Sequence, residues 1–279
     1  MAVAIVTGAN KGIGYHIVRG LAAGLPAGST VYLGSRDAGR GTAAIEQIAA
    51  ASNNTGTTIK LLQLEITDPA SVAAAAASIQ TQEPNGIDIL VNNAGFAFKA
   101  AATEPRPVQA KETLRVNYHG TLAVSKAFIP MLRAGGRVVN VGSMAGGLGS
   151  WGASLRTEIL NPALTEAQLT AFCARFVDDC EAGGDEQRGW PGTTYGVSKA
   201  AVHAMTRIHA RDIGAMGLAD AAGVTVNVCC PGWCKSDMAG WERPPKTAEQ
   251  GADTPTWLAL GGAGAATGSF FSDRKERGW

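Results

Sequence analysis

The residues best suited to chemistry in this chain are Tyr195 and Lys199, the ends of the segment Tyr195-Gly-Val-Ser-Lys199. Residues with this spacing share one face of a helix, so the lysine ammonium can lie beside the phenol. A free tyrosine has a pKa of about 10, and a nearby positive charge lowers a pKa by roughly 1–3 units. The spacing therefore predicts a phenol adapted to proton transfer near neutral pH. Taken alone, the pair could equally be a surface tyrosine beside a solvated lysine.

A glycine-rich turn is the second candidate site, in the segment Thr7-Gly-Ala-Asn-Lys-Gly-Ile-Gly14. Glycines allow a tight turn and a close approach of the backbone to a pyrophosphate, and the helix that follows offers free N–H groups at its positive end. The turn could also be purely structural, but a strand before it and a helix after it favour dinucleotide binding. Its candidate cofactor-binding residues are Gly8, Asn10, Lys11, Gly12, Ile13 and Gly14.

The preference between the two dinucleotides is read from Arg36, which follows the second predicted strand. NAD enzymes place an acid here, roughly twenty residues beyond the glycines, whereas an arginine accommodates the 2′-phosphate of NADP. Asp37 is adjacent, so the pattern is mixed. Lys11 and Arg40 add positive charge and favour NADPH, although the same charges could form a solvated loop. A further polar turn, Asn92-Asn93-Ala94-Gly95, ends the fourth predicted strand, where such sheets bind ligands.

Alternating strands and helices position these segments. The predicted strands are Val3–Thr7, Thr30–Gly34, Ile59–Leu64, Ile87–Val91, Arg137–Val141, Val224–Cys229 and a short Gly268–Ser272. The predicted helices cover residues 12–25, 41–51, 69–80 (capped by Asp68, with Pro69 in the first turn), 109–132 and 196–216. Continuous apolar strands interleaved with helices predict an α/β fold, a doubly wound parallel sheet of the Rossmann type covered on both faces.

Residues 148–190 interrupt the alternation, and we interpret them as a helical insertion before Tyr195. Thr165-Glu-Ala-Gln168 has the form of a capping box, and Gly183-Gly184 would end the helix that it begins. The apolar face of that helix is formed by Leu169, Phe172, Cys173, Phe176, Val177 and Cys180. We expect it to dock on the helix that carries Tyr195, which predicts a monomer; a dimer contact made by the insertion is the alternative.

Composition restricts the class of protein. The 279 residues, 46 % apolar with a net charge of +1, predict a single domain spanning 1–279 and no nucleic-acid or membrane partner. Five cysteines without metal-ligand spacing argue against a disulfide framework or a metal site. We find no leader segment and expect a cytoplasmic protein. Asn53-Asn54-Thr55 has the form of a glycosylation site, to which we give no weight in a protein that is not secreted.

The ordered set TGxxxGIG, NNAG, Asn117, Ser143, YxxxK and Pro231-Gly232 resembles the short-chain dehydrogenase/reductase family over nearly the whole chain. The likeness extends to its carbonyl reductase branch. It is carried by Phe98-Lys99, Arg137–Val141, Gly189-Trp190-Pro191, Ile208-His-Ala-Arg211, Cys229-Cys-Pro-Gly-Trp233, the insertion and Trp279. Two positions depart from the family pattern: Glu65 replaces an aspartate near the adenine, and Gly142-Ser143 replaces a more usual serine pair.

The resemblance implies a role for each matching residue. Tyr195 would protonate the carbonyl oxygen, Ser143 would hydrogen-bond it, Lys199 would bind the nicotinamide ribose and tune Tyr195, and Asn117 would hold a water in the proton relay. The cofactor set extends to Arg36, Arg40, Glu65, Ile66, Asn93, Ala94, Gly95, Tyr195, Lys199, Pro231, Gly232, Trp233 and Ser236. No metal is implied.

Apolar residues that follow these motifs predict the substrate pocket. Met144, Trp233 and Met238 would form an apolar wall beside Ser143 and Tyr195, although all three could instead belong to the core. His16, His119, His203 and His209 have no place in this scheme, and we interpret them as structural or solvated. Cys230 resembles a cysteine near the pocket of carbonyl reductases, and a buried inert thiol is the other interpretation.

Together these residues predict NADPH-dependent reduction of apolar ketones, aldehydes or quinones to alcohols. Two alternatives stay open at this stage: an NADP-dependent secondary alcohol dehydrogenase working oxidatively, and a non-catalytic NADPH-binding regulator. The second would need a broken catalytic tetrad, and all four residues are present.

Overall fold

A computed structural model describes residues 1–51, 56–99 and 101–279 of the chain. The Asn53-Asn54-Thr55 sequence lies outside the described residues. The strands of the described part are β1 (Val3–Val6), β2 (Thr30–Ser35), β3 (Thr58–Gln63), β4 (Ile87–Asn92), β5 (Leu132–Val141), β6 (Thr225–Cys230), β7 (Phe270–Ser272) and β8 (Lys275–Arg277). They form one sheet in the order β3-β2-β1-β4-β5-β6-β7-β8. All neighbours are parallel except β7 and β8. The predicted doubly wound parallel sheet is confirmed.

The α-helices of the described part are α1 (Gly12–Gly24), α2 (Ala38–Ala51), α3 (Pro69–Gln82), α4 (Arg106–Leu114), α5 (Thr121–Phe128), α6 (Ala153–Ile159), α7 (Glu166–Ala182), α8 (Thr194–Asp212) and α9 (Ala248–Ala259). The predicted long helix over 109–132 is present as one helical segment over 106–131, but it is not a regular α-helix: a π-helical turn at Arg115–Gly120 lies between α4 and α5, and a 3-10 turn follows α5. The prediction also omitted α6, α9 and β8.

The core forms on both faces of the sheet because successive strand residues point to opposite sides. In β1, Ala4 and Val6 pack with α1, α2 and α9, whereas Val3 and Ile5 pack with α3 and α5. The helices α4 and α8 extend the second layer, and the insertion packs outside them. This arrangement leaves the carboxyl ends of β1 to β6 along one edge of the sheet.

The insertion forms the predicted amphipathic helix and contains two further elements, α6 and a 3-10 turn at Glu186–Arg188. Thr165 and Gln168 form the reciprocal capping box of α7, and Gly183 follows the last residue of that helix. Leu169, Phe172 and Phe176 are fully buried against α4 and α8. The short helix α6 adds Leu155 and Ile159 to the same cluster. The insertion is therefore part of the core and not a flap.

Candidate active site

The strand order reverses between β1 and β4, and this switch point opens a crevice at the carboxyl ends of the strands. Most of the predicted motifs follow one of these strands, whereas Asn117 and the pair Tyr195 and Lys199 lie on helices. The glycine turn follows β1, Arg36 follows β2, Glu65 and Ile66 follow β3, Asn93-Ala94-Gly95 follows β4, Ser143 follows β5, and Pro231-Gly232-Trp233 follows β6. The topology thus brings segments far apart in sequence to one edge of the sheet.

The glycine turn has the shape that a dinucleotide pyrophosphate needs. Gly8 and Gly12 have φ angles of 62° and 59°, in the region that favours glycine. A Cβ on Gly14 would lie 2.5 Å from Asn93 Nδ2, whereas one on Gly12 would meet nothing within 4 Å. The turn is therefore packed tightly against the sheet and open on its outer side.

The first turn of α1 faces this open side. Among the described residues it contains no acid, and its N-cap Lys11 gives no side-chain cap, so backbone N–H groups are left for an anion. Asn93 braces the turn from behind: its Nδ2 donates to the carbonyl oxygens of Thr7 and Gly8 at 2.9 and 3.1 Å. The Ala94 N–H donates to Thr7 Oγ1 at 3.0 Å. These residues fit a nicotinamide dinucleotide.

Each cation predicted to bind the 2′-phosphate has a carboxylate partner. Lys11 pairs with Asp237, Arg36 Nη1 lies 3.6 Å from Glu65 Oε2, and Arg40 Nε lies 3.1 Å from Asp37 Oδ2. Exposed pairs of this kind are worth at most about 1 kcal/mol, so a phosphate can displace them. Sequence reasoning missed Asp237, because no sequence signal links it to Lys11 across the crevice.

Asp37 and Glu65, whose roles were ambiguous in the sequence, both accept hydrogen bonds from residues close to them in the chain. Asp37 Oδ1 accepts the Arg40 N–H at 2.8 Å, at the start of α2, and this bond holds the pKa of Asp37 below its usual range. Glu65 Oε1 accepts from Thr67 N and Thr67 Oγ1 at 3.1 and 2.9 Å. Asp37 therefore caps α2 through its hydrogen bond with Arg40.

The helix α8 carries Tyr195 and Lys199 on one face, as their spacing predicts. Lys199 is buried, and its Nζ donates to the Val141 carbonyl oxygen at 2.8 Å. The same ammonium lies 5.7 Å from the centroid of the Tyr195 ring. Tyr195 itself is partly exposed, at the first turn of the helix. Tyr195 thus keeps part of its surface exposed, while the lysine behind it is buried.

The pKa of Tyr195 moves in the direction opposite to the one that the Tyr-Lys spacing predicts. Burial raises the pKa to about 12, and a hydrogen bond with the Ser143 side chain offsets part of that rise. Burial lowers the pKa of Lys199 to about 8. The prediction failed because spacing reports the neighbouring charge but not the loss of water around the phenol, which is the larger effect here.

Ser143 begins a 3-10 turn at Met144–Gly146, directly after β5. Its Oγ accepts the Ala145 N–H at 3.1 Å, and its side chain faces the Tyr195 phenol. A Cβ on Gly146 would lie 2.9 Å from Ala200 N, so this turn packs directly on the backbone of α8. That close approach brings a residue after β5 within reach of the tyrosine on α8.

Asn117 lies in the π-helical turn, a feature that is often found at functional sites. Its Oδ1 accepts the Phe96 N–H at 2.7 Å, and its Nδ2 donates to Phe96 O and Ser198 Oγ at 2.8 and 2.9 Å. A Cβ on Gly95 would lie 3.3 Å from Asn117 Oδ1 and 3.5 Å from Lys199 Nζ. Asn117 therefore joins the segment after β4 to α8.

The predicted apolar wall is at the surface and does not belong to the core. Met144, Trp233 and Met238 are 58 %, 49 % and 37 % exposed. Trp233 and Met238 lie in the segment after β6. The strand β6 pairs with β5, and Ser143 follows β5. In that segment Ser236 and Gly240 exchange backbone hydrogen bonds of 3.1 and 2.8 Å. Trp241, which sequence reasoning missed, is 63 % exposed beside them.

The five cysteines and two of the four histidines are buried, whereas His119 is exposed and His16 is partly exposed. All five cysteines are buried free thiols, and burial raises the pKa of Cys173, Cys229 and Cys234. His203 and His209 are buried on α8, and burial lowers the pKa of both. Within the described ranges, no helix is both long and apolar enough to cross a membrane.

Comparison with known proteins gives a consistent result. A family model for short chain dehydrogenases matches residues 2–155. "Carbonyl reductase [NADPH] 1" of Homo sapiens is 39 % identical over 281 residues, covering 99 % of this chain and 98 % of that protein. The Pongo abelii protein of the same name is 39 % identical over 283 residues, with 100 % and 99 % covered. The solved structure of salutaridine reductase from Papaver somniferum has a TM-score of 0.83 at 30 % identity, covering 98 % of this chain and 100 % of that one. The chain therefore belongs to the short-chain dehydrogenase/reductase family, and within it to the carbonyl reductase branch.

Proposed function

We propose that this protein reduces the carbonyl group of small apolar ketones, aldehydes or quinones to an alcohol with NADPH, and that Tyr195 is the proton donor. The observation that carries the proposal is the group formed by a buried Lys199, a partly exposed Tyr195 and the Ser143 side chain that faces the phenol. This group lies at the carboxyl edge of the sheet that also carries the glycine turn.

The cofactor would be held by this chain's own turn and cations. The first turn of α1 would bind the pyrophosphate, and Lys11, Arg36 and Arg40 would bind the 2′-phosphate in place of their carboxylate partners. When bound, NADPH supplies the hydride that the carbonyl carbon accepts. The carbonyl reductases that resemble this chain carry NADPH in their name, which supports the same cofactor here.

The proton transfer is argued from the state of Tyr195. With its pKa raised to about 12, the phenol is protonated at neutral pH and can donate to the oxygen of a carbonyl as that oxygen gains negative charge. Ser143 would hydrogen-bond the same oxygen, and the Lys199 ammonium would stabilise the tyrosinate left behind. The same phenol could act in the reverse sense as a tyrosinate, so the direction of the reaction is set by the ratio of NADPH to NADP.

The substrate class is argued from the exposed apolar side chains. Met144, Trp233 and Met238 are exposed, and they would give an apolar surface to which an aromatic ketone or quinone can bind. Arg243 lies 5.7 Å from the centroid of the Trp233 ring, which holds that indole at the surface. The five free thiols support the expectation of a reducing, cytoplasmic compartment.

A panel of carbonyl compounds tests the proposal, with oxidation of NADPH and of NADH measured in parallel. We expect apolar aromatic ketones and quinones to be reduced and charged keto acids to be poor substrates. Failure of every carbonyl compound with either cofactor, in a protein that binds NADPH, would favour the non-catalytic regulator instead.

A further inference from the structure

His203 occupies a position on α8 one helical turn beyond Lys199 and is buried under the end of β5. Its Nε2 accepts the backbone N–H of Ser143 at 3.4 Å. Its Nδ1 has no hydrogen-bond partner among the described residues. Because Nε2 accepts, the ring is the neutral tautomer with its proton on Nδ1. The histidine therefore contacts the proposed catalytic serine through its backbone.

The glycine before that serine is matched to this histidine. A Cβ on Gly142 would lie 2.5 Å from His203 Nε2 and 2.6 Å from Val228 Cγ2. Gly142 does not have a positive φ, so the position requires glycine for space and not for backbone freedom. The imidazole fills the volume that a side chain at residue 142 would take, at the position where the family more usually has a serine.

Trp279 closes the other side of the histidine. The two ring centroids are 5.6 Å apart, and the Trp279 Nε1–H donates to the Gly146 carbonyl oxygen at 2.9 Å. The Arg207 guanidinium lies 5.6 Å from the centroid of the Trp279 ring. The turn at 143–146 is consequently held at both ends, by His203 at its first N–H and by Trp279 at its last carbonyl.

We propose that His203 is a positioning residue for Ser143, and that it works with Trp279 to orient the serine hydroxyl toward Tyr195. The inference rests on the proposed function of Ser143. In this arrangement glycine at residue 142 leaves the space that the His203 ring occupies. The imidazole then packs against the backbone before Ser143 and limits its movement more than a small side chain at residue 142 would.

The state of the histidine agrees with this role. Burial and the nearby Lys199 ammonium hold the pKa of His203 at about 3. The ring thus remains neutral at working pH, and Nε2 remains an acceptor. Its centroid is 4.5 Å from that of Phe270, so a second aromatic ring also packs against the imidazole.

The test compares His203→Met, which keeps volume without the acceptor, with His203→Gln, which keeps an acceptor near the Nε2 position. We expect His203→Met to lower kcat by about tenfold, because small misplacements of reacting groups cost up to a hundredfold. NADPH affinity, measured by fluorescence titration, should stay within about twofold, and His203→Gln should recover kcat to within about threefold of wild type. Trp279→Phe, which keeps an aromatic ring but loses the donor, should lower kcat in the same direction.

His209→Met is the matched control, because His209 is also buried on α8 but contacts Glu166 of the insertion. It should lower Tm and leave kcat per folded molecule unchanged. Equal kcat for His203→Met and wild type would overturn the inference, and so would equal losses for His203→Met and His203→Gln. If His203→Met does not fold, Trp279→Phe is the deciding variant. A wild-type kcat for Trp279→Phe would then contradict the positioning role.

Ser143→Ala separates this inference from the proposed function. Full activity of Ser143→Ala would contradict the proposed role of the serine itself. A crippled Ser143→Ala beside a fully active His203→Met would contradict the positioning role alone. The double variant, with both His203→Met and Ser143→Ala, should have the same kcat as Ser143→Ala alone, because the histidine acts through the serine.

Discussion

The Lys199 ammonium lies 2.8 Å from the carbonyl oxygen of Val141. Val141 is the last residue of β5 and lies two positions before Ser143. One backbone group thus ties the lysine of α8 to the strand that delivers the serine. The Lys199 side chain is also buried, so this contact between the two segments is shielded from water. Such preorganisation is what proton transfer to a bound carbonyl requires.

Removing the Tyr195 hydroxyl should abolish most of the chemistry. We expect Tyr195→Phe to lower kcat by about 10²–10⁴, the usual contribution of a positioned general acid, while NADPH binding is retained. Steady-state kinetics and fluorescence titration measure the two quantities. A variant within threefold of wild-type kcat would show that another group donates the proton.

Removing the Arg36 guanidinium should change the cofactor preference. A charge-assisted hydrogen bond is worth about 1.5–3 kcal/mol, or roughly tenfold or more in affinity. Arg36→Ala should therefore raise the KM for NADPH about tenfold and barely affect that for NADH. Glu65→Gln, which frees Arg36 from its partner, is the control and should lower the KM for NADPH. Equal use of both cofactors by the wild type would contradict the assignment.

Truncating an exposed indole should alter substrate choice more than stability. Trp233 is 49 % exposed, so Trp233→Ala should reorder the carbonyl panel with little change in Tm. Trp190, which is 2 % exposed in the insertion, provides the matched control. Trp190→Ala should cost about 3–5 kcal/mol of stability and leave the substrate ranking of the folded fraction unchanged. The reverse pattern would remove Trp233 from the substrate surface.

The buried His209 should make the fold sensitive to acid. Burial lowers its pKa from 6.5 to about 4, although Glu166 raises it in part. Between pH 6.5 and about 4, His209 is protonated in the unfolded chain but stays neutral in the folded chain. The free energy of unfolding therefore falls as the pH drops from 6.5 toward 4, and this contribution is fully present above pH 6.5. Thermal unfolding between pH 4 and 8 should show a shallower slope for His209→Met. Parallel curves for the variant and the wild type would contradict this origin of the acid sensitivity.

The oligomeric state follows from the surface that the insertion covers. Nearly every residue of α8 from Thr194 to His209 is buried within one chain, and Phe172 and Phe176 of α7 contribute to that cover. We therefore predict a monomer, to be measured by sedimentation at several concentrations. A stable dimer whose insertion resists proteolysis only in the dimeric form would replace this prediction with a contact made by the insertion.

Much of the site could be predicted because most of its motifs follow a strand, and parallel strands deliver their ends to one edge. Asn117 and the pair Tyr195 and Lys199 lie on helices instead, and the helical spacing of that pair was readable from the sequence. Capping pairs were equally readable, since Thr165 and Gln168 lie within one turn. Contacts between distant elements were not: Lys11 with Asp237 and Ser143 with His203 are set by how loops and helices pack. The raised pKa of Tyr195 could not be predicted from the sequence either, because its largest cause is burial, which depends on the folded structure.

Other omissions have local causes. Pro255 and Gly251 interrupt the helical pattern of α9, although Thr247 and Gln250 form a capping box that could have revealed it. The β7–β8 hairpin turns at Asp273 and Arg274, two residues with φ of 53° and 57°, without the glycine that normally marks such a turn. Neither element carries a residue of the predicted tetrad, so the site could be assigned without them.

The π-helical turn at 115–120 keeps two faces of one long helical segment in phase. Ala110, Leu114, Tyr118 and Leu122 recur every four residues and all face the insertion and α8, whereas Val124 and Phe128 face the sheet. In a regular α-helix each four-residue step over-rotates by about 40°, and the wider turn takes that rotation back. Loss of a single residue from this stretch would turn everything after it by about 100°. Phe128 would then leave the sheet, so the segment that carries Asn117 tolerates substitution far better than a change of length.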